Sequence, residues 1–329
     1  MKVVITGAAG FVGTNLALSL RNEHELFLLD NFSRQGSINN GHLLSDLNLD
    51  IAKIDISDQA NLKQFLDKVG RFDFLIHLAA QTSLIESLKF PYLDFNTNAL
   101  GTLNILEFLR NYNPEARGIF LASNKVYGNL SQFDYVEEDL RYRVSNGPSA
   151  FNETLPISPI GGYSISKSIL DSYVIDYGKR YSLPVISLRQ SAIYGQHQNA
   201  RADQGWISYF IDQFLGNNEK VKLRGKGKQV RDVLYIDDFC SLIKHLFGSD
   251  IPYGEAYNVG GGLDFSLSIL ELLSILKKLS NKSISFESGP MAVEDQKYFV
   301  SNNSKISNLT NWKPYTTPES GIEKVIKLS

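Results

Sequence analysis

Short apolar runs alternate with amphipathic stretches along the first two-thirds of the chain. The run Lys2–Thr6 is rich in β-branched residues, and Phe11–Arg21 has apolar residues at helical spacing. Further buried strands are predicted over Leu26–Leu29, Phe74–Leu78, Gly118–Ala122 and Pro184–Leu188, and further helices over Gln59–Val69, Leu93–Tyr112 and Ser164–Tyr181. Strands that alternate with helices predict a parallel sheet covered on both faces.

This alternation breaks after Arg189. Residues Asn199–Asp232 are rich in Gly, Gln and charge. Beyond them, a helix is predicted over Asp237–Phe247, a strand over Ala256–Val259 and a helix over Ser266–Leu279. We therefore predict an α/β chain with two parts. Residues 1–188 form a doubly wound parallel sheet, completed by segments near 234–259, and residues 189–329 form a smaller, interleaved C-terminal domain.

Composition agrees with a globular chain of about two domains. The 329 residues are 43% hydrophobic and 21% charged, which excludes a disordered chain or a fibre. The net charge is −2 without a block of like charges, which argues against nucleic acid or an anionic membrane as partner. Neither a signal peptide nor a long apolar run is visible, so we expect a cytoplasmic protein with no membrane partner.

Cysteine and histidine usage limits the possible metal chemistry. The single cysteine, Cys240, excludes an internal disulfide and a multi-thiolate site. The five histidines show no metal spacing, so no metal is predicted. His77 lies in a predicted buried strand, where a hydrogen-bonded core residue is expected.

A glycine-rich turn lies between the first strand and the first helix. Its glycines Gly7, Gly10 and Gly13 are spaced three apart, and Phe11 and Val12 begin the helix. Such a turn brings the backbone close to a pyrophosphate, and the helix start supplies free N–H groups and a favourable dipole. A purely structural turn is the alternative, but the next strand argues against it.

That strand ends at Asp30, 17 residues after Gly13. A carboxylate there can accept hydrogen bonds from both hydroxyls of an adenosine ribose and would repel a 2′-phosphate. This predicts NAD as cofactor on a Rossmann-type sheet. Arg34, four residues further on, is a cation that would soften the preference against NADP.

Tyr163 and Lys167 are four residues apart at the start of a predicted helix, so both lie on one helical face. A tyrosine is a poor base at neutral pH, but a neighbouring ammonium favours its phenolate. The pair is common by chance on surface helices; behind a phosphate-binding turn it indicates a catalytic base.

Taken together, the motifs resemble the extended short-chain dehydrogenase/reductase family of nucleotide-sugar epimerases and dehydratases. The resemblance spans essentially the whole chain and rests on TGAAGFVG at Thr6–Gly13, Asp55-Ile56, LAAQ at Leu78–Gln81, Asn98 with Gly101-Thr102, SNKVYG at Ser123–Gly128, YSISK at Tyr163–Lys167 and QVRDVLYIDD at Gln229–Asp238.

The resemblance implies roles for individual residues. Tyr163 is the general base and acid, Lys167 lowers its pKa and holds the nicotinamide ribose, and Ser123 hydrogen-bonds the reacting hydroxyl. The implied cofactor site comprises Gly7, Gly10, Phe11, Val12, Gly13, Asp30, Asn31, Ser33, Arg34, Asp55, Ile56, Leu78, Ala79, Ala80, Gln81, Asn98, Tyr163, Lys167, Gln190 and Ser191. The implied substrate site comprises Gln81, Ser123, Asn124, Gln204, Trp206 and Arg231. For Trp206, core packing is an equal alternative to stacking on a base or sugar.

The residues after Ser123 bear on the reaction. Dehydratases of the family carry an acidic pair there, whereas this chain has Asn124-Lys125, which disfavours elimination and favours an NAD-dependent epimerase. Finer resemblance, in RADQGWISYF at Arg201–Phe210, GKGKQVRD at Gly225–Asp232 and EDQKYFV at Glu294–Val300, implies inversion at C2 of a CDP-3,6-dideoxyhexose. A 4-epimerase or keto-reductase on another nucleotide sugar, or a non-catalytic dinucleotide sensor, remain alternatives.

Two further features concern the substrate cover and the assembly. Tyr127 and Tyr163 lie 36 positions apart, and we expect the long segment between them to be irregular and to cover the sugar. The family commonly forms a homodimer, or a higher homo-oligomer, through two long helices, here Leu93–Tyr112 and Ser164–Tyr181. The apolar face expected to be shared consists of Leu103, Leu106, Leu109 and Leu170.

Overall fold

The computed structural model describes residues 1–201, 204–216, 220–280 and 285–328. Its strands are β1 Lys2–Thr6, β2 Glu25–Asp30, β3 Ile51–Lys53, β4 Phe74–His77, β5 Arg117–Leu121, β6 Asp134–Glu137, β7 Tyr142–Asn146, β8 Val185–Gln190, β9 Ala192–Tyr194, β10 Lys220–Arg224, β11 Val230–Tyr235, β12 Glu255–Val259, β13 Ser266–Ser268, β14 Ser285–Gly289 and β15 Tyr298–Phe299.

The helices surround these strands. They are α1 Phe11–Leu20, α2 Gln35–Asp46, α3 Gln59–Val69, α4 Leu84–Lys89, α5 Pro91–Phe95, α6 Gly101–Tyr112, α7 Gly162–Tyr181, α8 Trp206–Leu215, α9 Ile236–Gly248, α10 Ile269–Ser280, α11 Ser304–Thr310 and α12 Pro318–Leu328. A π-helical turn, Asn96–Leu100, joins α5 to α6, and 3₁₀ turns lie at Asn124–Tyr127 and Leu263–Phe265.

Seven strands form one parallel sheet in the order β12-β8-β5-β4-β1-β2-β3. The predicted parallel sheet with helices on both faces is therefore confirmed. Strand order reverses between β1 and β4, and ligands bind outside the carboxyl ends of strands at such a switch point. The glycine-rich turn after β1 and residues 78–82 after β4 meet there.

Two hydrophobic clusters cover the faces of this sheet. Side chains of α1, α9 and the smaller sheets pack on one face, and those of α3, α6 and α7 pack on the other. Leu106, Leu109 and Leu170 are at most 1% exposed in the second cluster, and Leu103 packs against it. The expectation that these leucines form the face shared with a second copy is therefore wrong for Leu106, Leu109 and Leu170, because the protein's own core already covers them, whereas Leu103 is half-buried.

The C-terminal part contributes small sheets around β11. That strand pairs with β9 and β15 in parallel and with β13 antiparallel, while β10 pairs with β14. The segment between Tyr127 and Tyr163 is less irregular than expected, because β6 and β7 form an antiparallel hairpin within it. The helix predicted over Ser266–Leu279 begins later, at Ile269, since Ser266–Ser268 pairs with β11 as β13.

Two further observations concern Cys240 and the surface. The thiol of Cys240 is buried in α9, and burial raises its pKa to about 12.

Among the helices of the described residues, none combines the length and apolar character that a membrane span requires.

Candidate active site

The glycine-rich turn fits a bound diphosphate. Gly7 has a positive φ of 69°, and a Cβ there would lie 2.6 Å from the Ala79 backbone nitrogen, while a Cβ at Gly13 would overlap the Gly7 carbonyl oxygen. No side chain of the described residues caps α1, whose first residues are Phe11 and Val12. The helix therefore presents uncapped N–H groups at its start, the donors that a pyrophosphate uses.

Asp30 lies beside this turn at the end of β2. Its carboxylate accepts hydrogen bonds from the backbone N–H groups of Ala9 (3.1 Å) and Phe32 (2.8 Å). Burial raises the pKa of Asp30, while these amides work against the rise. The carboxylate is thus fixed in the place where a ribose is expected, with acceptor capacity to spare.

Asn31 and Asp55 form a pair next to Asp30. Asn31 Nδ2 donates to Asp55 Oδ2 at 3.0 Å, and the Ser57 hydroxyl donates to Asp55 Oδ1 at 2.6 Å. Burial works to raise the pKa of Asp55, but these hydrogen bonds outweigh it and the pKa is lowered. The neighbouring Ile56 is 4% exposed, with its side chain in the core, so a cofactor contact expected of this residue would use its backbone.

The Arg34 guanidinium is engaged by side chains of other segments. Its guanidinium donates to Thr82 Oγ1 (2.9 Å) and to Gln204 Oε1 (2.5 Å), and lies 3.8 Å from the Glu86 carboxylate. Arg34 therefore links the segment after β2 with the segments after β4 and before α8. The preceding Ser33 is hydrogen-bonded through its backbone N–H to Asn31 Oδ1.

The segment after β4 is held by two side chains. The Leu78 and Ala79 amides each donate to Thr6 Oγ1 at 3.2 Å, and Ala80 follows them. The Gln81 amide donates to Asn98 Oδ1 (3.0 Å), and Asn98 Nδ2 returns a bond to Gln81 O (2.9 Å). Asn98 lies in the π-helical turn, a rare geometry that is frequent at functional sites.

The predicted triad lies together and buried. Ser123, Tyr163 and Lys167 are 4%, 6% and 4% exposed. Burial raises the pKa of Tyr163, and the neighbouring Ser123 hydroxyl works against this rise. Ser123 Oγ itself accepts from the Lys125 amide at 3.2 Å. Burial lowers the pKa of Lys167 to about 8. The three groups that sequence reasoning brought together from two distant motifs therefore share one low-dielectric site.

Sequence reasoning missed Asp94, which lies beside this triad. Asp94 is 2% exposed in α5, and its Oδ1 accepts from Asn98 Nδ2 at 3.2 Å. Its charge raises the pKa of both Tyr163 and Lys167. A carboxylate four residues before Asn98 in a helical stretch was the available signal, because that spacing lets the two side chains meet.

A second missed cluster surrounds Asn124, Lys125 and Arg231. Asp295 Oδ1 accepts from Lys125 Nζ (3.0 Å) and from an Arg231 Nη (2.6 Å), and Asn124 Nδ2 donates to Gln296 Oε1 (3.1 Å). Burial lowers the pKa of Lys125, and although burial alone would raise that of Asp295, the two cations hold it well below its usual range. Two cations share the carboxylate of Asp295, and the negative charge of Glu294 also acts on Lys125.

Three further residues expected in the cofactor and substrate sites have less support from the geometry. Gln190 is half-buried at the end of β8, whereas the Ser191 hydroxyl is engaged with Asp232 Oδ1 at 2.5 Å. Trp206 is half-buried and packs against the core; its indole nitrogen has no hydrogen-bond partner in the described part of the chain. Ala202 and Asp203, just before it, lie outside the described residues.

The comparisons with known proteins agree with this site. The chain matches the model of the NAD dependent epimerase/dehydratase family over residues 3–260, and it belongs to that family. It is 36% identical to CDP-paratose 2-epimerase from Salmonella typhi, over 99% of this chain and 98% of that one.

Two solved structures are similar over almost the whole chain. UDP-glucuronic acid 4-epimerase from Bacillus cereus, in complex with UDP-glucuronic acid and NAD, has a TM-score of 0.84 and 25% identity, covering 99% of this chain and 98% of that one. dTDP-glucose 4,6-dehydratase from Bacillus anthracis, in complex with NAD, has a TM-score of 0.81 and 26% identity, covering 99% and 96%. These findings confirm the family, the Rossmann-type fold, NAD as cofactor and an NAD-dependent epimerase.

Proposed function

We propose that the chain inverts C2 of a CDP-3,6-dideoxyhexose, the conversion of CDP-paratose to CDP-tyvelose. The observation that carries this proposal is the 36% identity to CDP-paratose 2-epimerase over nearly the full length of both chains. The buried triad of Ser123, Tyr163 and Lys167 supports it, because an epimerisation by transient oxidation needs a single base beside a hydride acceptor.

Tyr163 is the proposed base and Ser123 its partner at the reacting hydroxyl. Tyr163 takes the proton from the C2 hydroxyl as the C2–H bond breaks, which leaves a 2-keto sugar. NAD, when bound, would supply the acceptor for the C2 hydride and its donor to the other face of the sugar. The keto sugar presents that face, and Tyr163 gives the proton back to oxygen, so no net redox change occurs. Lys167 stabilises the phenolate and orients the nicotinamide ribose.

The cluster after Ser123 supports epimerisation over dehydration. Elimination needs an acid for the leaving hydroxyl and a base for the adjacent C–H. Asn124 cannot transfer a proton and is hydrogen-bonded to Gln296, and Lys125 is paired with Asp295. These side chains therefore hold the turn rather than offer an acid and a base.

The cluster around Arg231 offers two cations to a nucleoside diphosphate. Arg231 and Lys125 share the carboxylate of Asp295, Glu294 also acts on Lys125, and Arg231 is fixed by a further bond of 2.8 Å to Gln296 O. A guanidinium held in this way can bind phosphate oxygens. We propose that the elements after residue 189 hold the nucleotide and that the sheet of the first part holds NAD.

A 4-epimerase acting on a UDP-sugar is the second candidate. The observation that favours it is the similarity to solved 4-epimerases, such as the Bacillus cereus enzyme at a TM-score of 0.84. The same triad would serve C4, because only the placement of the sugar differs. A dinucleotide sensor is disfavoured, since it would have no use for a buried Tyr–Lys pair.

A substrate panel tests the proposal. The purified protein is incubated with CDP-, UDP-, GDP- and dTDP-sugars, and the products are identified by NMR. We expect a new C2 epimer from CDP-paratose only. Epimers at C4 would establish the second candidate in its place.

An isotope experiment on the same reaction tests the chemistry. Deuterium at C2 of the substrate is expected to remain at C2 of the product, with little exchange into solvent. Stoichiometric entry of solvent deuterium at C2 would instead indicate deprotonation next to an existing carbonyl and would contradict the oxidation–reduction scheme.

A further inference from the structure

A buried ion pair lies directly behind the triad. Asp171 is on α7, two turns after Tyr163 and one turn after Lys167, and it is fully buried. Its carboxylate accepts from Arg189 Nε (3.1 Å) and Arg189 Nη2 (2.7 Å), and from the Ser187 hydroxyl (2.5 Å). Arg189 lies on β8, so the pair joins the helix that carries Tyr163 to the central sheet.

The other arm of Arg189 reaches the turn that carries Ser123. Arg189 Nη1 donates to the Tyr127 hydroxyl at 3.0 Å, and its guanidinium carbon lies 5.2 Å from the centre of the Tyr127 ring. Tyr127 is the last residue of the 3₁₀ turn that begins directly after Ser123, and it is fully buried. One guanidinium therefore contacts both elements that supply the triad.

The network continues to the segment expected to cover the sugar. The Tyr127 hydroxyl donates to Asn258 Oδ1 at 2.7 Å. Asn258 on β12 then donates to two residues of that segment: its Nδ2 to Phe151 O (2.9 Å) and its backbone N–H to Glu153 Oε1 (2.6 Å). The Tyr163 helix, the Ser123 turn and the covering segment are thus tied to one line of buried polar groups.

Stabilisation of the fold does not by itself explain a buried network of this kind. Replacing a buried ion pair with apolar residues of similar volume is often neutral or stabilising, whereas removing one partner is costly. What the network does provide is a fixed relation between three elements that are separate in sequence. Small displacements matter at a reacting centre, because an error of about 1 Å can reduce the rate about 100-fold.

We propose that Asp171, Arg189 and Tyr127 are positioning residues that set the geometry of Ser123 against Tyr163 and hold the covering segment over the sugar. This proposal rests on the proposed function, since it takes Ser123 and Tyr163 as the reacting pair. None of the three positioning residues touches the substrate; each acts through the element it holds.

The test uses Tyr127→Phe, which keeps the buried ring and removes the hydroxyl that joins Arg189 to Asn258. Arg189→Lys, which keeps the charge but loses the two-armed geometry, is measured beside it. Turnover is expressed per bound NAD, so that unfolded protein does not enter the ratio. For both variants we expect kcat to fall at least about 10-fold while KM and NAD content change less than about twofold. We also expect the acidic limb of the pH–rate profile, which reports protonation of the base Tyr163, to move, because the placement of Ser123 against Tyr163 is altered.

Two control variants separate positioning from general destabilisation. Asp238→Asn replaces a fully buried carboxylate, which accepts hydrogen bonds from the Thr316 amide and hydroxyl, with a neutral amide. This position lies far along the chain from the triad. Asp176→Asn breaks the half-exposed ion pair with Arg180 on α7 itself. Both should keep kcat per bound NAD and the pH profile. The proposal is overturned if Tyr127→Phe keeps both as well, or if Asp238→Asn lowers kcat equally.

Tyr163→Phe is measured in the same series to separate the two proposals. If Tyr163→Phe is inactive and Tyr127→Phe is normal, the positioning role is wrong and the base assignment stands. If Tyr163→Phe remains active, the assignment of Tyr163 as the base is wrong. The pH shift expected for Tyr127→Phe is then wrong as well, because it depends on Tyr163 as the base.

Discussion

The Lys167 ammonium donates a hydrogen bond of 2.8 Å to the backbone carbonyl of Leu121 at the end of β5. The side chain is 4% exposed, and burial lowers its pKa to about 8 from an ordinary value of 10.5. The folded chain therefore binds this proton less tightly than the unfolded chain does. Below about pH 8 the buried charge costs stability, and the cost is relieved as the pH rises from about 8 to about 10.5.

From this we predict that Lys167→Met is more stable than the parent at pH 7, by up to about 3 kcal/mol in the free energy of unfolding, although it is inactive. The gain should shrink at a pH near 10. Denaturant titrations at both pH values measure it. Lys179→Met, on the exposed side of the same helix, is the control and should show no such pH-dependent gain. A destabilised Lys167→Met at pH 7 would contradict the prediction.

Tyr163→Phe removes the ionisable hydroxyl and keeps the ring. Loss of general acid–base catalysis is expected to reduce kcat by about 10²- to 10⁴-fold, with NAD still bound. Initial rates and the nucleotide content of the purified variant test this. Near-normal turnover would exclude Tyr163 as the base.

The buried imidazole of His77 is expected to make the folded state less stable in acid. Its Nδ1 and Nε2 face the hydroxyls of Thr6 (2.8 Å) and Thr102 (3.2 Å), which confirms a hydrogen-bonded core residue, and burial lowers its pKa to about 3. Since the unfolded histidine titrates near 6.5, stability should be lost as the pH falls from about 6.5 towards 3, by about 1.4 kcal/mol per pH unit from this group. His77→Gln should flatten that slope, and exposed His42→Gln should leave it unchanged.

Asp30 and Arg34 are expected to contribute unequally to the choice between NAD and NADP. Because the Asp30 carboxylate is fixed beside the turn, Asp30→Ala should raise the NADP/NAD ratio bound by the protein about 10-fold. Arg34 is engaged with Thr82 and Gln204, so Arg34→Ala should leave the ratio unchanged. Denaturing each variant and separating the released nucleotides measures the ratio. A drop in NADP binding with Arg34→Ala would show that Arg34 governs the choice.

We propose a dimer through a different face from the leucines expected at first. The apolar side chains exposed along residues 91–112 and α7 include Leu93, Phe95, Ile165, Tyr173 and Tyr181, each between 38% and 50% exposed. Tyr173→Glu should convert a dimer into a monomer in light scattering at micromolar protein. Leu279→Glu, at an exposed position of α10, is the control and should leave the mass unchanged. A monomeric parent protein would rule the dimer out.

The main sheet was predictable because its strands are buried on both faces and therefore form continuous apolar runs, such as Phe74, Leu75 and Ile76 of β4. The missed elements lack such a signal. In α2, glycine, serine and asparagine dominate, and in the β6–β7 hairpin polar residues lie on exposed strands. Tertiary contacts form these elements, and local propensity does not reveal them.

The candidate site shows a similar division. Helical spacing predicted that Tyr163 and Lys167 share one face, and the family resemblance added Ser123 to them. The partnership of Lys125 with Asp295 joins positions 170 residues apart, and only the packing of the C-terminal part creates it. The leucines expected to be shared with a second copy illustrate the opposite case: an apolar helix stripe does not say which surface covers it, and the protein's own core covers Leu106, Leu109 and Leu170.

The burial of Cys240 makes the chain suitable for spectroscopic work without prior engineering. With its only thiol inside α9 and its pKa raised to about 12, the native protein offers almost no thiolate to alkylating reagents. A cysteine introduced on the covering segment could therefore carry a fluorophore alone, without replacement of the natural residue. The rate at which the Cys240 thiol is alkylated would then report how often α9 opens away from the core.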